Sequence, residues 1–132
     1  MKIDAPISLG ELMDKISILW IKKDKIIDKN KLNLIKDELN LLNKSIDQII
    51  NQEKDRKIEI LSLMDDLKKI NSELWDIEDK IRECERKNFF DQTFIELARS
   101  VYLTNDKRSK IKSEINKTFG SQIKEVKSYT KY

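Results

Sequence analysis

Apolar residues in this chain recur in alternating steps of three and four along two long stretches, which is the spacing of a coiled-coil seam. One stretch runs from Leu32 to Ile49 and the other from Ile60 to Cys84. Little interrupts them, because the 132 residues include only two glycines and one proline. Long helices are therefore favoured over strands. The pattern predicts an all-α fold, in which four helices form one antiparallel bundle, residues 1–132, built on a long helical hairpin with coiled-coil-like seams.

Local signals predict where the first two helices begin and end. Ser8 and Glu11 have the spacing of a capping box, so the first helix is expected to run from there to about Asp28, after an extended segment at residues 1–7. Residues 51–56 contain no apolar side chain and predict a turn after the second helix. Because no glycine or proline enforces a stop there, one continuous long helix remains the alternative.

The second half of the chain carries clearer boundaries. Lys87 and Asn88 are expected to end the third helix, Asp91 to cap the fourth, and Gly120 to follow its last turn. Residues 121–132 are predicted to be a polar C-terminal tail, whose few apolar side chains either dock on the bundle or fray.

Composition excludes several classes of protein. The chain has no histidine and one cysteine, Cys84, so it lacks the usual general base, a multi-cysteine zinc site and any internal disulfide. No apolar run reaches the ~20 residues of a transmembrane helix, and no signal peptide is evident. We expect a cytoplasmic protein without a transmembrane segment. It shows no phosphate-binding glycine loop, nucleophile elbow or motif for specific nucleic-acid binding.

The net charge of +3 is unevenly distributed, since basic residues outnumber acidic ones from Lys107 onward. Such a segment can meet an anion, a nucleic acid or an acidic membrane surface. The favoured interpretation is ordinary solvation, because cations near a helix C-terminus interact well with the helix dipole.

Polar residues occupy core positions of the fourth helix. Asn105 and Arg108 fall where the helical repeat calls for apolar side chains, and buried polar groups are costly unless they are paired. If the last two helices fold back about Asn88–Asp91, then Asn71 faces Arg108 and Leu74 faces Asn105. The agreement predicts a buried polar layer between the two helices.

Arg108 is expected to be at least half buried against a carboxylate, with Glu78 and Asp14 as the leading partners. The layer could bind a small carboxylate or phosphate through the planar fork of an arginine. The favoured alternative is an ion-pair network that fixes the register of the helices. The candidate ligand-binding residues are Asp14, Lys15, Asn71, Trp75, Glu78, Arg82, Arg99, Tyr102, Asn105 and Arg108.

Acidic pairs spaced three residues apart offer a second hypothesis. All-helical nucleotide pyrophosphohydrolases bind Mg²⁺ with carboxylates placed in this way. The four carboxylates concerned here are Glu11, Asp14, Asp76 and Asp79. Such spacings arise by chance in a chain with 24 acidic residues, so no metal or other cofactor is expected except under this alternative.

Three segments and a short motif carry a family resemblance. They are Met1–Lys22, Leu74–Glu85, Phe94–Asn116 and Lys127-Ser128-Tyr129, with Leu-Trp-Asp-Ile-Glu-Asp in the second and Leu-Ala-Arg-Ser-Val-Tyr and Asn-Asp-Lys-Arg in the third. Together they resemble a family of small uncharacterised bacterial proteins, a domain of unknown function, over nearly the whole chain. Members are sometimes found beside, or fused to, glycosyltransferase and surface-polysaccharide functions. The resemblance implies a role in cell-surface glycan assembly and supplies no catalytic residues.

These observations lead to two functional hypotheses. The first is an accessory or interaction protein, with a protein partner in glycan assembly, that forms a homodimer because long helices leave flanks uncovered. The second is a carboxylate–Mg²⁺ phosphohydrolase or a small-anion-binding protein that uses the Arg/Asn/carboxylate cluster.

Overall fold

The computed structural model describes residues 1–132 and confirms the all-α prediction: four packed α-helices and no strand. Helix α1 spans Leu9–Lys25, α2 spans Lys29–Gln52, α3 spans Lys57–Lys87 and α4 spans Gln92–Thr118. A short 3₁₀ helix, Lys54–Arg56, separates α2 from α3. The predicted turn is therefore correct, and the alternative of one continuous helix is wrong. No helix has the length and apolar character needed to cross a membrane.

Helix α1 lies at the centre of the bundle, where it contacts α2, α3 and α4, while α3 and α4 form the long hairpin. The apolar stripe of α1 is wide enough to face several neighbours, as expected for an amphipathic helix that packs against more than one partner. Buried apolar side chains from all four helices form the core: Leu12, Met13, Ile16, Leu19, Ile35, Leu39, Ile46, Ile60, Met64, Leu67 and Ile115.

The beginning and end of α1 differ in part from the sequence prediction. Ser8 caps the helix, since its Oγ accepts a hydrogen bond from the Glu11 amide at 3.1 Å. The Glu11 side chain, however, binds Lys112 of α4, so the reciprocal half of the capping box is absent. The helix ends at Lys25 rather than near Asp28. Asp28 instead caps α2, where its carboxylate accepts a hydrogen bond from the Lys31 amide at 2.9 Å.

The other helix ends are where the sequence places them. Asn88 adopts a left-handed conformation with φ 53°, and the Phe89 amide donates back to the Cys84 carbonyl at 2.9 Å. The Asp91 side chain caps α4 by accepting hydrogen bonds from two backbone amides. Gly120 follows the last turn with φ 64°, a conformation that glycine adopts without a steric cost.

The outer part of the α3–α4 hairpin, which we call the distal arm (residues 72–103), contains no buried residue. At 1.5 Å per residue, the 31 residues of α3 extend about 46 Å, whereas the 17 residues of α1 extend about 26 Å. Helix α1 therefore covers only the inner part of the hairpin. Phe89, Phe90 and Ile95 are exposed on the distal arm.

The C-terminal tail (residues 121–132) has no helix but makes contacts with α4. Glu125 lies 3.1 Å from Lys112, and the Tyr132 hydroxyl donates a hydrogen bond to Asp106. The Tyr132 ring also meets the Tyr102 ring edge-on, with 5.4 Å between centroids. The tail is thus attached to α4 mainly through polar contacts, while its apolar side chains, such as Val126 and Tyr129, stay largely exposed.

Candidate functional site

An ion pair between Asp14 of α1 and Arg108 of α4 is at the centre of the buried polar layer. The Asp14 side chain is 1% exposed and that of Arg108 is 27% exposed. The Arg108 guanidinium donates hydrogen bonds to both carboxylate oxygens of Asp14. Its Nε lies 2.9 Å from Oδ1, and its Nη2 donates to Oδ2. Such a two-pronged contact is the geometry in which arginine binds a carboxylate most specifically. The prediction that Arg108 is at least half buried against Asp14 or Glu78 is confirmed for Asp14.

Helix α3 contributes Asn71 to the same carboxylate. Its Nδ2 donates to Asp14 Oδ1 at 2.9 Å and to Ser17 Oγ at 2.8 Å. The Ser17 hydroxyl in turn donates to the Asp14 backbone carbonyl at 2.7 Å. Because Asn71 and Arg108 meet at one carboxylate, the predicted opposition of these two residues across the hairpin is confirmed.

These contacts keep Asp14 ionised. Burial disfavours the charged form and by itself raises the pKa of the carboxyl, but the hydrogen bonds from Arg108 and Asn71 outweigh it. The charges of Arg108 and Lys112 act in the same direction, so the pKa of Asp14 lies below its ordinary value. The hydrogen bond to Asp14 likewise raises the pKa of Arg108.

Lys112 extends the network one turn further along α4. Its side chain is 9% exposed, and its Nζ lies 2.7 Å from Glu11, 3.1 Å from Glu125 and 3.8 Å from Asp14. Burial lowers the pKa of this ammonium, but the hydrogen bonds to Glu11 and Glu125 and the Asp14 charge more than compensate, so the pKa is raised. Lys112 therefore connects α1, α4 and the tail as a cation.

A close backbone approach holds α1 against α4 beside this network. The Gly10 amide donates to Asn116 Oδ1 at 2.7 Å. A methyl group on Gly10 would meet the Lys112 carbonyl oxygen at 2.7 Å, closer than real Cβ contacts. Glycine is required here because no side chain fits between the two helices.

A groove of about 500 Å³ opens next to the network, between α1, α3 and α4. Trp75, Glu78, Arg82 and Asn105, all candidates from the sequence, line it together with Asn71 and Arg108. Glu78 pairs with Arg82 at 3.6 Å rather than with Arg108. Asn105 Oδ1 accepts a long hydrogen bond, 3.5 Å, from Arg108 Nη1.

Three sequence candidates lie outside this cluster. Lys15 and Arg99 are exposed and make no ion pair. Tyr102 is exposed and contacts Tyr132 of the tail on another face of α4. None of the three therefore takes part in the hydrogen-bond network around Asp14.

The four carboxylates of the metal hypothesis do not form a metal site, because two are in ion pairs within the bundle and two are exposed on α3. Glu11 and Asp14 bind Lys112 and Arg108, whereas Asp76 and Asp79 are exposed on α3. No group of three or more carboxylates or other metal-ligating side chains lies close enough to hold an ion.

Sequence reasoning missed Ser17 and the structural use of Lys112 and Glu125. Ser17 follows Asp14 by three residues and so shares its face of α1, a signal that was available. Lys112 lies on the α4 seam one turn after Arg108. A lysine at a core position also predicts a carboxylate partner. Glu125 lies in the tail, where no periodicity indicates which residue faces the bundle.

The cluster is internally satisfied. No buried side-chain nitrogen or oxygen lacks a hydrogen-bond partner, and the fork of Arg108 is occupied by Asp14. The geometry favours a network that fixes the position of α1 against the hairpin.

Comparison with known proteins gives one assignment. The chain belongs to a family of unknown function (DUF6165), whose family model matches residues 1–132. No curated protein and no solved structure matches the chain.

Proposed function

We propose that this member of an uncharacterised family is an interaction protein, and that the distal arm is its contact surface. The observation that carries the proposal is the absence of any buried residue from Ser72 to Leu103. Two helices that extend beyond their core gain little stability for the monomer. They do present an extended surface, with Phe89 and Phe90 exposed at its tip.

The polar network supports this proposal because its groups are engaged with one another. A catalytic or ligand-binding cluster needs groups that are free to engage a substrate or that can release an exposed partner to do so. Here the two strongest candidates, Asp14 and Arg108, bind each other, and Asn71 completes the pairing. The cluster thus serves to hold the base of the arm in place.

The first partner that we propose for the arm is a second copy of the chain, because the charges of α3 are complementary to themselves. Residues 73–79 carry four acidic side chains and no basic one, whereas residues 80–87 carry four basic and two acidic ones. A twofold axis across the arm sets two copies of α3 antiparallel. Each acidic segment then faces the partner's basic segment.

A charge-swap experiment tests this dimer. Asp76→Lys and Lys87→Glu each place like charges across the interface, so each is expected to weaken self-association by about tenfold, or 1.4 kcal/mol. The double variant is expected to restore it. Sedimentation equilibrium measures the dissociation constants, with Asp47→Lys on the exposed face of α2 as the control. A wild-type chain that stays monomeric at high micromolar concentration would refute the dimer.

The family resemblance supports a setting for this interaction protein, namely the assembly of cell-surface glycans. Deleting the gene in its native host is expected to reduce the surface polysaccharide. Wild-type protein should restore it, whereas the Phe89→Ser/Phe90→Ser variant should not, although it folds. Unchanged polysaccharide in the deletion strain would reject the setting and leave the dimer intact.

The phosphohydrolase alternative has its own test. Binding at a site stabilises the folded state by mass action, about 2.7 kcal/mol at a hundredfold excess over Kd. We expect Mg²⁺ and Mn²⁺ to leave the melting temperature unchanged. A thermal shift that Asp76→Asn abolishes would favour the enzyme instead.

A further inference from the structure

A basic cleft of about 510 Å³ lies between α4 and the C-terminal tail, on a different face from the groove beside Arg108. Four lysines line it, Lys110 and Lys112 from α4 and Lys124 and Lys127 from the tail. Two serine hydroxyls of α4 also line it, together with the side chain of Asn116. Ammonium, hydroxyl and amide donors that converge on one cavity are the groups that bind phosphate oxygens.

Lys112 makes this cleft more than a set of surface charges. Its side chain is only 9% exposed, and the contacts with Glu11 and Asp14 fix the ammonium on the wall of the cleft. A buried, positioned cation loses little conformational entropy when it binds an anion, unlike a mobile surface lysine.

A carboxylate of the chain itself occupies the cleft. Glu125 of the tail lies 3.1 Å from Lys112 and 4.0 Å from Lys127, and its side chain is 43% exposed. Its partners are therefore the ones that an incoming anion would use. Because the tail has no regular structure, Glu125 can leave without disrupting a helix.

A second cleft of about 490 Å³ adjoins the first and shares Asp106 and Lys127 with it. Its walls include the rings of Tyr102, Tyr129 and Tyr132. Aromatic side chains offer flat surfaces on which a planar ring can stack, and stacking on aromatic residues is a common way to hold a nucleobase.

We propose that these adjoining clefts form a binding site for a phosphorylated ligand with a planar ring, of the class of the nucleoside diphosphates. The phosphates lie among the lysines, where they displace Glu125, and the ring stacks on the tyrosines. The site goes beyond the proposed interaction function, since neither the distal arm nor Arg108 takes part in it.

Calorimetric titration with three probes separates the two halves of the site. ADP is expected to bind more tightly than inorganic pyrophosphate, and adenosine more weakly than either. Tyr129→Ala, which alters a side chain that is 78% exposed, should weaken ADP binding and leave pyrophosphate unchanged. Equal effects on both probes would overturn the ring site.

Charge variants test the phosphate half. The Lys110→Ala/Lys124→Ala variant should weaken ADP and pyrophosphate binding by at least about tenfold, since two of the four cations are removed. The matched control is Lys36→Ala/Lys44→Ala, two exposed lysines of α2, which should not change binding. An equal loss in the control would show attraction to net charge alone and would refute the site.

Glu125→Gln is the most direct test, because it removes the internal competitor and keeps its shape. We expect tighter binding of both phosphorylated probes by severalfold to tenfold. Unchanged or weaker binding would refute displacement of Glu125. If neither probe binds this variant at millimolar concentration, the proposal as a whole fails, and the distal-arm proposal is unaffected.

Discussion

The inner part of the α3–α4 hairpin and its distal arm have the same helical period but opposite relations to the rest of the chain. The inner part meets α1 and buries Leu67, Asn71 and Ile115. The distal arm continues the apolar seam through Ile77 and Ile81, yet none of its residues is buried. The seam therefore joins two helices to each other, whereas complete burial requires a third helix. Stability is expected to concentrate in the inner part and contact surface in the arm.

Breaking the polar network should reveal the largest difference in stability between the two regions. Arg108→Met leaves the buried Asp14 carboxylate without its main partner, so we expect a loss of about 3–5 kcal/mol in the free energy of unfolding. Urea denaturation measures it. Arg82→Met in the arm removes an exposed pair and should cost about 0–1 kcal/mol. Equal stability of the two variants would contradict the network's role.

The close approach of α1 to α4 provides the next largest effect. Gly10→Ala puts a methyl group against the Lys112 carbonyl, which backbone movement must relieve, and overpacking of this kind costs about 1–3 kcal/mol. Lys15→Ala, on the exposed side of the same helix, should be nearly neutral. If Gly10→Ala is as stable as the wild type in thermal denaturation, the two helices are not held this closely.

Acid should weaken the inner part through Asp14. Its pKa in the folded protein lies below the ordinary value of 3.8, so the ionised form stabilises the fold. This contribution is complete above the ordinary pKa and is lost as the pH falls through the lower pKa of the folded state. The stability difference between wild type and Asp14→Asn should therefore shrink from pH 7 to pH 3, as urea midpoints can show. A constant difference would exclude Asp14 as the source.

Changes at the tip of the arm should have the smallest effect on the monomer. Phe89 and Phe90 are 58% and 52% exposed, and the Phe90 ring meets the Phe94 ring edge-on with 5.2 Å between centroids. Replacing both with serine is therefore expected to cost about 0.5–1.5 kcal/mol in the free energy of unfolding, mostly through the lost aromatic pair. The same variant should weaken self-association. A loss above about 3 kcal/mol would show that the tip packs within the chain more tightly than this one aromatic contact.

Much of this contrast could be read from the sequence. The steps of three and four gave the helices, and Asn88, Asp91 and Gly120 marked their ends, because turn and cap conformations depend on local residues. The polar layer was also predictable, because Asn71 and Arg108 fall opposite each other once the hairpin turn is known.

The remaining contacts depend on tertiary packing, which the periodicity of one helix does not specify. The preference of Arg108 for Asp14 over Glu78 depends on which residues of α1 are packed against α4. The same packing brings Gly10 to Asn116 and pairs the Glu11 side chain with Lys112 instead of with the Ser8 amide. The path of the tail, including the position of Glu125, depends on tertiary contacts. No repeat in residues 121–132 predicts those contacts.

The wide sequence separations within the network have a consequence for synthesis on the ribosome. Asp14 is 57 residues from Asn71 and 94 from Arg108, and Gly10 is 106 from Asn116. Asn71 is synthesised near the middle of the chain, but Arg108 and Asn116 follow only near its end, and such distant contacts form late. We expect nascent chains that end before Arg108 to remain protease-sensitive in α1, so that completion of α4 triggers folding of the whole protein.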